Sequence, residues 1–292
     1  MIDIAVIGET LLDVERHGVL RDRAGDRIPV IREHRCVAVP GGAGNTAANA
    51  ARLGARTALW GPVGDDLDGR QVCSLLDAIG VHRRLSVVPG WITPRKERIF
   101  DLRGPVLRVD RERPHPLAAS DPDPMLGDGG WQAAKMVVCS DYGQGAWSEA
   151  RAVAIVSAAE GRVIADVRSP PSWWRGARIW CPNEEEARAA TGGQTLDDAL
   201  DRARACLPGT ILAITRGAGG VLWDDGQRHA LDARGPEPTD PVGAGDTFAA
   251  ALAVALAEGE SPRAAARWGI AAAGFSASQP GTYAVARHEF TS

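Results

Sequence analysis

The feature that most narrows the fold of this chain is a regular alternation of short apolar runs with helical patterns. The runs "IDIAVIG", "RTALWGPVG", "KMVVCSDYG", "GRVIADVR", "RIWCPN" and "TILAITRG" are rich in β-branched and aromatic residues. Between them the spacing predicts helices over 45–53, 148–160, 184–191 and 196–206, with Thr195 and Asp198 reading as a capping box for the last. Strands that are apolar at nearly every position need cover on both faces. The pattern therefore predicts an α/β fold with a mostly parallel sheet.

Two stretches break the rhythm. Residues 14–40 and 91–112 alternate polar and apolar positions with no helix between, and "DLRG" in the second reads as a hairpin turn. The expectation is a small antiparallel sheet projecting from the α/β body. The Pro/Asp/Gly-rich segment 113–130 reads as a loop returning to that body.

Charge and composition exclude several partners. A net charge of -4 over 292 residues, with no Lys/Arg block, gives no electrostatic footprint for nucleic acid. No apolar run is long enough to span a membrane. "MIDIAVIGET" reads as a first core strand without the basic start of a signal peptide. Five cysteines without CxxC spacing, and six histidines without metal spacing, fit a reduced compartment and no zinc site. The expected location is the cytoplasm.

The segment "TDPVGAGDTFAAALAVALAEG" (239–259) carries the chemistry. Phe248, Leu252 and Leu256 recur at helical spacing, so Gly243-Ala244-Gly245 form the turn into a helix and Asp246 lies at or just inside its start. A helix N-terminus favours anions, and glycines let the backbone approach an oxygen closely. Gly243, Ala244 and Gly245 can thus form an anion hole. Asp246 is then suited to take a proton from a hydroxyl attacking the group held there, the kit for phosphoryl transfer to an alcohol. The alternative reading makes Asp246 a helix cap and the glycines a tight turn. The GxxxxGK[ST] phosphate loop is absent.

A second cluster, "PGGAGNTAANAARLGA" (40–55), superficially matches a dinucleotide fingerprint at Gly42, Gly44 and Ala47. Its following strand ends in glycine, with Asp65-Asp66 only in the next turn, so that reading is weak. Gly41, Gly42 and Asn45 at a helix start could instead hold sugar hydroxyls.

Both clusters, in this order and near these ends of the chain, resemble the two signatures of the ribokinase-like (PfkB) carbohydrate kinase family. "IGETLLDV" resembles that family's first strand, ending in the substrate-binding Asp13. "PNEEE" resembles its Asn-x-x-Glu element, Asn183 and Glu186, which organises magnesium through water and phosphate. "TRGAGG" resembles its nucleotide loop, with Thr215, Gly217 and Gly220. The resemblance implies a three-layer α/β/α ribokinase-like (Rossmann-like) body over 1–13, 38–90 and 113–292. The β lid would span 14–37 and 91–112, with a homodimer formed through lid edges. It implies ATP and Mg2+ as cofactors, K+ at Asp240 as in ribokinases, Asp246 as base, and Asp141 beside the sugar.

Within the family, "SDYGQG", "TPRKERI…LRVDRE" and "AAAGFSASQPGT" resemble the heptose-7-phosphate kinases of ADP-heptose synthesis. The implied acceptor is the anomeric hydroxyl of a heptose 7-phosphate. Ribose, fructose, another sugar or a nucleoside are the alternatives. The nucleotidyltransferase of bifunctional relatives is expected on a separate partner enzyme. Lys96, one of only two lysines among 33 basic residues, aligns with a lid lysine and reads as a contact to a phosphorylated or polyhydroxylated substrate, or else as a surface lysine on an edge strand. Gln144 stands where the group carries lysine, and Ile270 where relatives often carry asparagine near adenine. Those two departures are the support for a non-catalytic binding protein. Trp173-Trp174 read as core or lid packing.

Overall fold

The computed structural model describes residues 1–21, 28–120 and 122–290. Part of the lid predicted over 14–37, namely 22–27, lies outside the described residues, as do 121 and 291–292 of the predicted body. Strand β1 (Ile4–Gly8) is wholly buried and opens the chain. The chain then leaves the main sheet through β2 (Thr10–Arg21) and returns through β3 (Val30–Gly42), which runs directly into helix α1 (Ala43–Arg52). After β4 (Thr57–Val63), α2 (Leu67–Ile79) and β5 (His82–Val87), a second excursion forms β6 (Arg95–Asp101) and β7 (Gly104–Arg111). The turn between them is the "DLRG" segment, with Gly104 at φ 131.

From β8 (Met136–Ser140) onward the chain alternates with few interruptions. It passes through α3 (Glu149–Ala159), β9 (Val163–Asp166), β10 (Ile179–Trp180), α4 (Glu184–Thr191), α5 (Leu196–Cys206) and β11 (Ile211–Thr215). The antiparallel strands β12 (Val221–Asp224) and β13 (Arg228–Leu231) follow, then α6 (Ala244–Ala257) and α7 (Pro262–Ala277). At α5 the expected capping box is only half formed. Thr195 accepts from the Asp198 N–H, but the Asp198 carboxylate reaches the Gln194 N–H at 2.9 Å, one residue before the cap.

The main sheet has nine strands in the order β13-β12-β11-β10-β9-β8-β1-β4-β5, parallel from β5 to β11. Its two faces bury separate cores because successive strand residues point to opposite sides. Ile4 and Val6 of β1 pack with the alanines of α1, α6 and α7, whereas Ala5 and Ile7 pack with α3, α5 and the tryptophans 60, 147, 174 and 180. This is the three-layer α/β/α arrangement that the sequence implied. Trp174 is fully buried, donates to Ser169 Oγ and meets Trp147 edge-on, a packing role. β1 lies between β4 and β8, so the strand order reverses there, and the crevice beyond the strand C-termini is where such sheets bind ligands.

The second sheet has four strands in the order β3-β2-β6-β7. β6 is therefore an interior strand. The edge-strand reading of Lys96 does not hold. β2 and β3 pair from Thr10↔Gly42 outward, with one register shift between His17 and Gly18, so the small sheet grows out of the same residues that start α1.

Candidate active site

Helix α6 delivers the central carboxylate. Gly243 is its N-cap at φ 79, a left-handed conformation that glycine adopts without steric cost, and its position leaves no space for a side chain: a Cβ would stand 2.7 Å from Asn45 Nδ2. Asp246 is the third helical residue and is not a cap. Its carboxylate turns away from the helix backbone into the molecule, where it is 4% exposed. Oδ1 accepts from the Tyr142 hydroxyl at 2.8 Å and Thr46 Oγ1 at 3.2 Å, and Oδ2 accepts from Asn45 Nδ2 at 2.9 Å. Burial pushes Asp246 up to about 6 despite these donors, and the charge of Asp13 acts in the same direction. Side chains from α1 and the loop after β8 thus meet on one carboxylate of α6.

The anion hole is narrower than its sequence implies. The Ala244 N–H is committed to the Pro241 carbonyl at 3.2 Å, which leaves the N–H groups further into the first turn to face a ligand. Gly245 meets nothing within 4 Å of an added Cβ, so the backbone there is open to a close approach. Beside it is a polar cavity of about 170 Å³ lined by Asp141, Tyr142, Asp166, Arg168, Asn183, Glu186, Gly243, Gly245 and Asp246. Asn183 and Glu186 form a reciprocal capping box at the start of α4, with Glu186 N–H to Asn183 Oδ1 at 2.9 Å and Asn183 N–H to Glu186 Oε2 at 3.1 Å. Glu186 Oε1 accepts from Arg168 Nε at 3.0 Å. Asp166, at the C-terminus of β9, is pushed well up by burial and by the charges of Glu186 and Asp246. Asp141 has both oxygens on backbone N–H groups, those of Gly143 at 2.8 Å and Ser169 at 3.0 Å.

A larger cavity of about 300 Å³ adjoins the polar one, sharing Asn183, Thr215 and Gly245 with it. Thr215, Gly217 and Gly220 line it together with the apolar side chains of Phe248, Ile270, Ala273 and Ala277. Ile270 thus supplies an apolar surface where an asparagine was the family expectation. Gly217, like Gly245, borders the cavity with nothing near an added Cβ, so a side chain there would fill space a ligand needs. An apolar slot leading into a polar chamber with one guanidinium and hard oxygen donors fits a nucleoside triphosphate with Mg2+. Asp240 lies outside both cavities, with Oδ1 on the Val242 N–H at 3.0 Å and Oδ2 on the Gly281 N–H at 3.3 Å. Among the described residues no cluster of three or more acidic, histidine or cysteine side chains could hold a metal by itself.

The small sheet departs from the sequence reading again at Asp13. Asp13 does not end the first strand, which stops at Gly8. It stands on β2 inside the small sheet, opposite Val39 and Lys96. The chain turns out of the main sheet at Glu9, whose buried carboxylate gathers three backbone N–H groups from a distant loop, those of Tyr142 at 2.7 Å, Gln144 at 3.0 Å and Ala146 at 2.7 Å. Burial, with the nearby Asp141 charge, pushes Glu9 up to about 7. Asp13 accepts from Arg98 Nη1 at 3.0 Å, and Gly41 has no space for a Cβ beside the Asp13 carboxylate. Burial raises Asp13, while Arg98 and Lys96 oppose it. Lys96 places its ammonium 5.4 Å from the Tyr142 ring centroid, and burial, then Arg168 and Arg108, lower its pKa. Gln144, in place of the expected lysine, donates to Glu112 Oε2 at 2.9 Å and ties this loop to the end of the lid.

The dinucleotide reading fails on geometry. The strand before Gly42 is an antiparallel lid strand, and Asp66 caps α2 through the Gly69 N–H at 2.7 Å. Five residues of the site escaped the sequence reading: Glu9, Thr46, Arg98, Tyr142 and Arg168. Thr46 and Tyr142 lie within motifs already singled out, and Arg168 follows Asp166 by two positions. Glu9 likewise lies in "IGETLLDV" and Arg98 in "TPRKERI", and membership of a quoted segment is the signal the sequence offered for each.

Comparison with known proteins agrees with this geometry. The family model described as pfkB family carbohydrate kinase matches residues 1–104 and 132–288. The "Bifunctional protein HldE" of Azorhizobium caulinodans is 35% identical over 305 residues, covering 98% of this chain. The chain spans 63% of that relative's length. Among solved structures, Arabidopsis thaliana ribokinase complexed with ribose and ATP superposes with a TM-score of 0.73 at 22% identity, covering 99% of this chain and 95% of that one. Escherichia coli phosphofructokinase-2 in complex with potassium gives a TM-score of 0.75 at 19% identity, with 99% and 97% covered.

Proposed function

This chain belongs to the pfkB family of carbohydrate kinases, phosphotransferases with an alcohol group as acceptor, and from that premise we propose that it phosphorylates the anomeric hydroxyl of a heptose 7-phosphate in the cytoplasm. The observation that carries the reading is a buried carboxylate at the start of α6, bordering a polar chamber that continues into an apolar slot. ATP supplies the phosphoryl group, and Mg2+ neutralises its charge when bound. Thr215, Gly217, Gly220 and Ile270 hold the nucleoside end. Asn183 and Glu186 would hold the metal, and Arg168, which lines the same polar cavity, would face the phosphates. The N–H groups of the first turn of α6 beyond Ala244 would receive the γ-phosphoryl oxygens, and Asp240 would lie near a monovalent cation.

The acceptor oxygen attacks the γ-phosphorus, its proton passes to Asp246, and the bond to the ADP oxygen breaks. Asp13, Gly41, Gly42 and Asn45 orient the sugar, with Asn45 acting also on Asp246 itself. Asp141 shapes the loop behind it. The resemblance of "SDYGQG" and "TPRKERI…LRVDRE" to heptose-7-phosphate kinases favours a heptose, and Lys96 adds support: burial and then the charges of Arg168 and Arg108 lower its pKa, while Glu112 and Asp13 oppose them. An ammonium near two guanidiniums, those of Arg168 and Arg108, suits a substrate carrying a phosphate of its own. Exposed apolar residues on the lid, Val19, Val106, Leu107 and Val109, support a homodimer through this sheet.

The test is ADP release from ATP·Mg2+ over heptose 7-phosphates, ribose, fructose, fructose phosphates and nucleosides, with Asp246→Asn as the blank. The expected result is one strong responder, a heptose 7-phosphate, with kcat reduced about 10²–10⁴-fold in the variant and nucleotide affinity retained. A response confined to an unphosphorylated sugar would refute the substrate. Near-normal turnover by Asp246→Asn would refute the mechanism.

A further inference from the structure

The ring of Tyr142 is held more completely than its exposure requires. Its N–H is taken by Glu9 and its carbonyl accepts from Arg168 Nη1 at 3.1 Å. The guanidinium of Arg168 stands 4.9 Å from the ring centroid, and Lys96 also faces the ring. The edge of the ring packs on Gly42, where an added Cβ would come within 3.2 Å of Cδ2. All of this fixes one atom, the phenolic oxygen, at 2.8 Å from Asp246 Oδ1.

A carboxylate offers about four acceptor positions, two on each oxygen. Tyr142 and Thr46 occupy both on Oδ1, and Asn45 occupies one on Oδ2. We propose that Tyr142 is a positioning residue for Asp246: it saturates Oδ1, holds the carboxylate ionised although buried, and leaves Oδ2 as the atom that receives the acceptor proton. This rests on Asp246 being the base. The phenol itself is kept well above its ordinary value, first by burial and then by the charges of Asp246 and Asp166, so it remains a donor. The other charged groups around the carboxylate are Asp13 from the lid and Asp166 from β9, both opposing ionisation, with Lys96 and Arg168 across the ring.

The test needs no substrate. In protein labelled with ¹³C at aspartate carboxyls, the Asp246 resonance is assigned by its loss in Asp246→Asn and titrated against pH. In Tyr142→Phe the midpoint should move up by about one pH unit or more, the worth of one hydrogen bond to a charged group. The chain has only two tyrosines, so global 3-fluorotyrosine labelling perturbs only Tyr142 and Tyr283 and leaves the fold intact. The more acidic fluorophenol is a stronger donor and should move the midpoint down. Shifts of opposite sign are not expected from a merely structural residue. An unmoved midpoint in both proteins would overturn the proposal. Failure of the base assignment would show separately, as turnover retained in Asp246→Asn.

Discussion

Three neutral donors, from Asn45, Thr46 and Tyr142, meet the carboxylate of Asp246, and this choice of partners governs its titration. A cation in their place would hold the group below its ordinary range. Neutral donors leave burial as the larger effect, and the carboxylate sits at about 6. A base must be ionised to act, so kcat/KM is expected to rise through about pH 6 to a plateau, and to fall roughly tenfold per unit below it. A pH profile flat down to pH 5 would contradict that assignment. The linkage to stability has the opposite sign. A carboxylate with a raised folded pKa favours the folded state below its unfolded value and loses that contribution as pH rises through the folded one. The Tm of Asp246→Asn relative to the unsubstituted protein should therefore improve between pH 5 and pH 8, measured by calorimetry. Asp246 was legible in the sequence because its turn is local. Tyr142, 104 residues away, was not, since nothing near either residue marks their meeting.

At the scale of elements, the start of α6 is where backbone conformation and chemistry coincide. Gly243→Ala should cost about 1–2 kcal/mol from the left-handed backbone alone. It should also displace Asn45, which lies 2.7 Å from the new Cβ, and so disturb Asp246. Gly259, just past the end of the same helix at φ 96, has open space around an added Cβ. Gly259→Ala should thus lower Tm by a comparable amount while leaving kcat within about twofold. Equal loss of kcat in both variants would show that strain alone matters. The helices themselves were legible: 184–191 and 196–206 match α4 and α5 because their caps and apolar spacing are local signals. α1 starts at Ala43, two residues before the predicted 45. Gly42 at φ 59 and the Ala43 N–H bond to the Glu9 carbonyl set that start, and the second is a contact with the residue between β1 and β2, far back in the chain.

For the whole molecule, the lid is the part whose surroundings are least complete within one chain. Leu107 and Val109 are exposed on β7, an edge strand of the small sheet. Analytical ultracentrifugation should show a dimer, and Leu107→Glu with Val109→Glu should convert it to a monomer with an unchanged Tm for the body. A monomeric unsubstituted protein would remove the lid interface from consideration. Strand–helix alternation and the two glycine clusters by themselves determined an α/β body and the turn before Asp246, because the pattern of each element is set by residues within one or two turns of one another, and the quoted motifs carried the resemblance to a kinase family. Only the tertiary structure decided that Asp13 stands in the lid sheet, that Glu9 anchors the 142–146 loop, and that Asn45, Thr46 and Tyr142 converge on Asp246. Those are contacts between strands and helices far apart in the chain. The hydrogen-bond partners of a buried carboxylate are chosen by packing, which no local pattern of residues encodes.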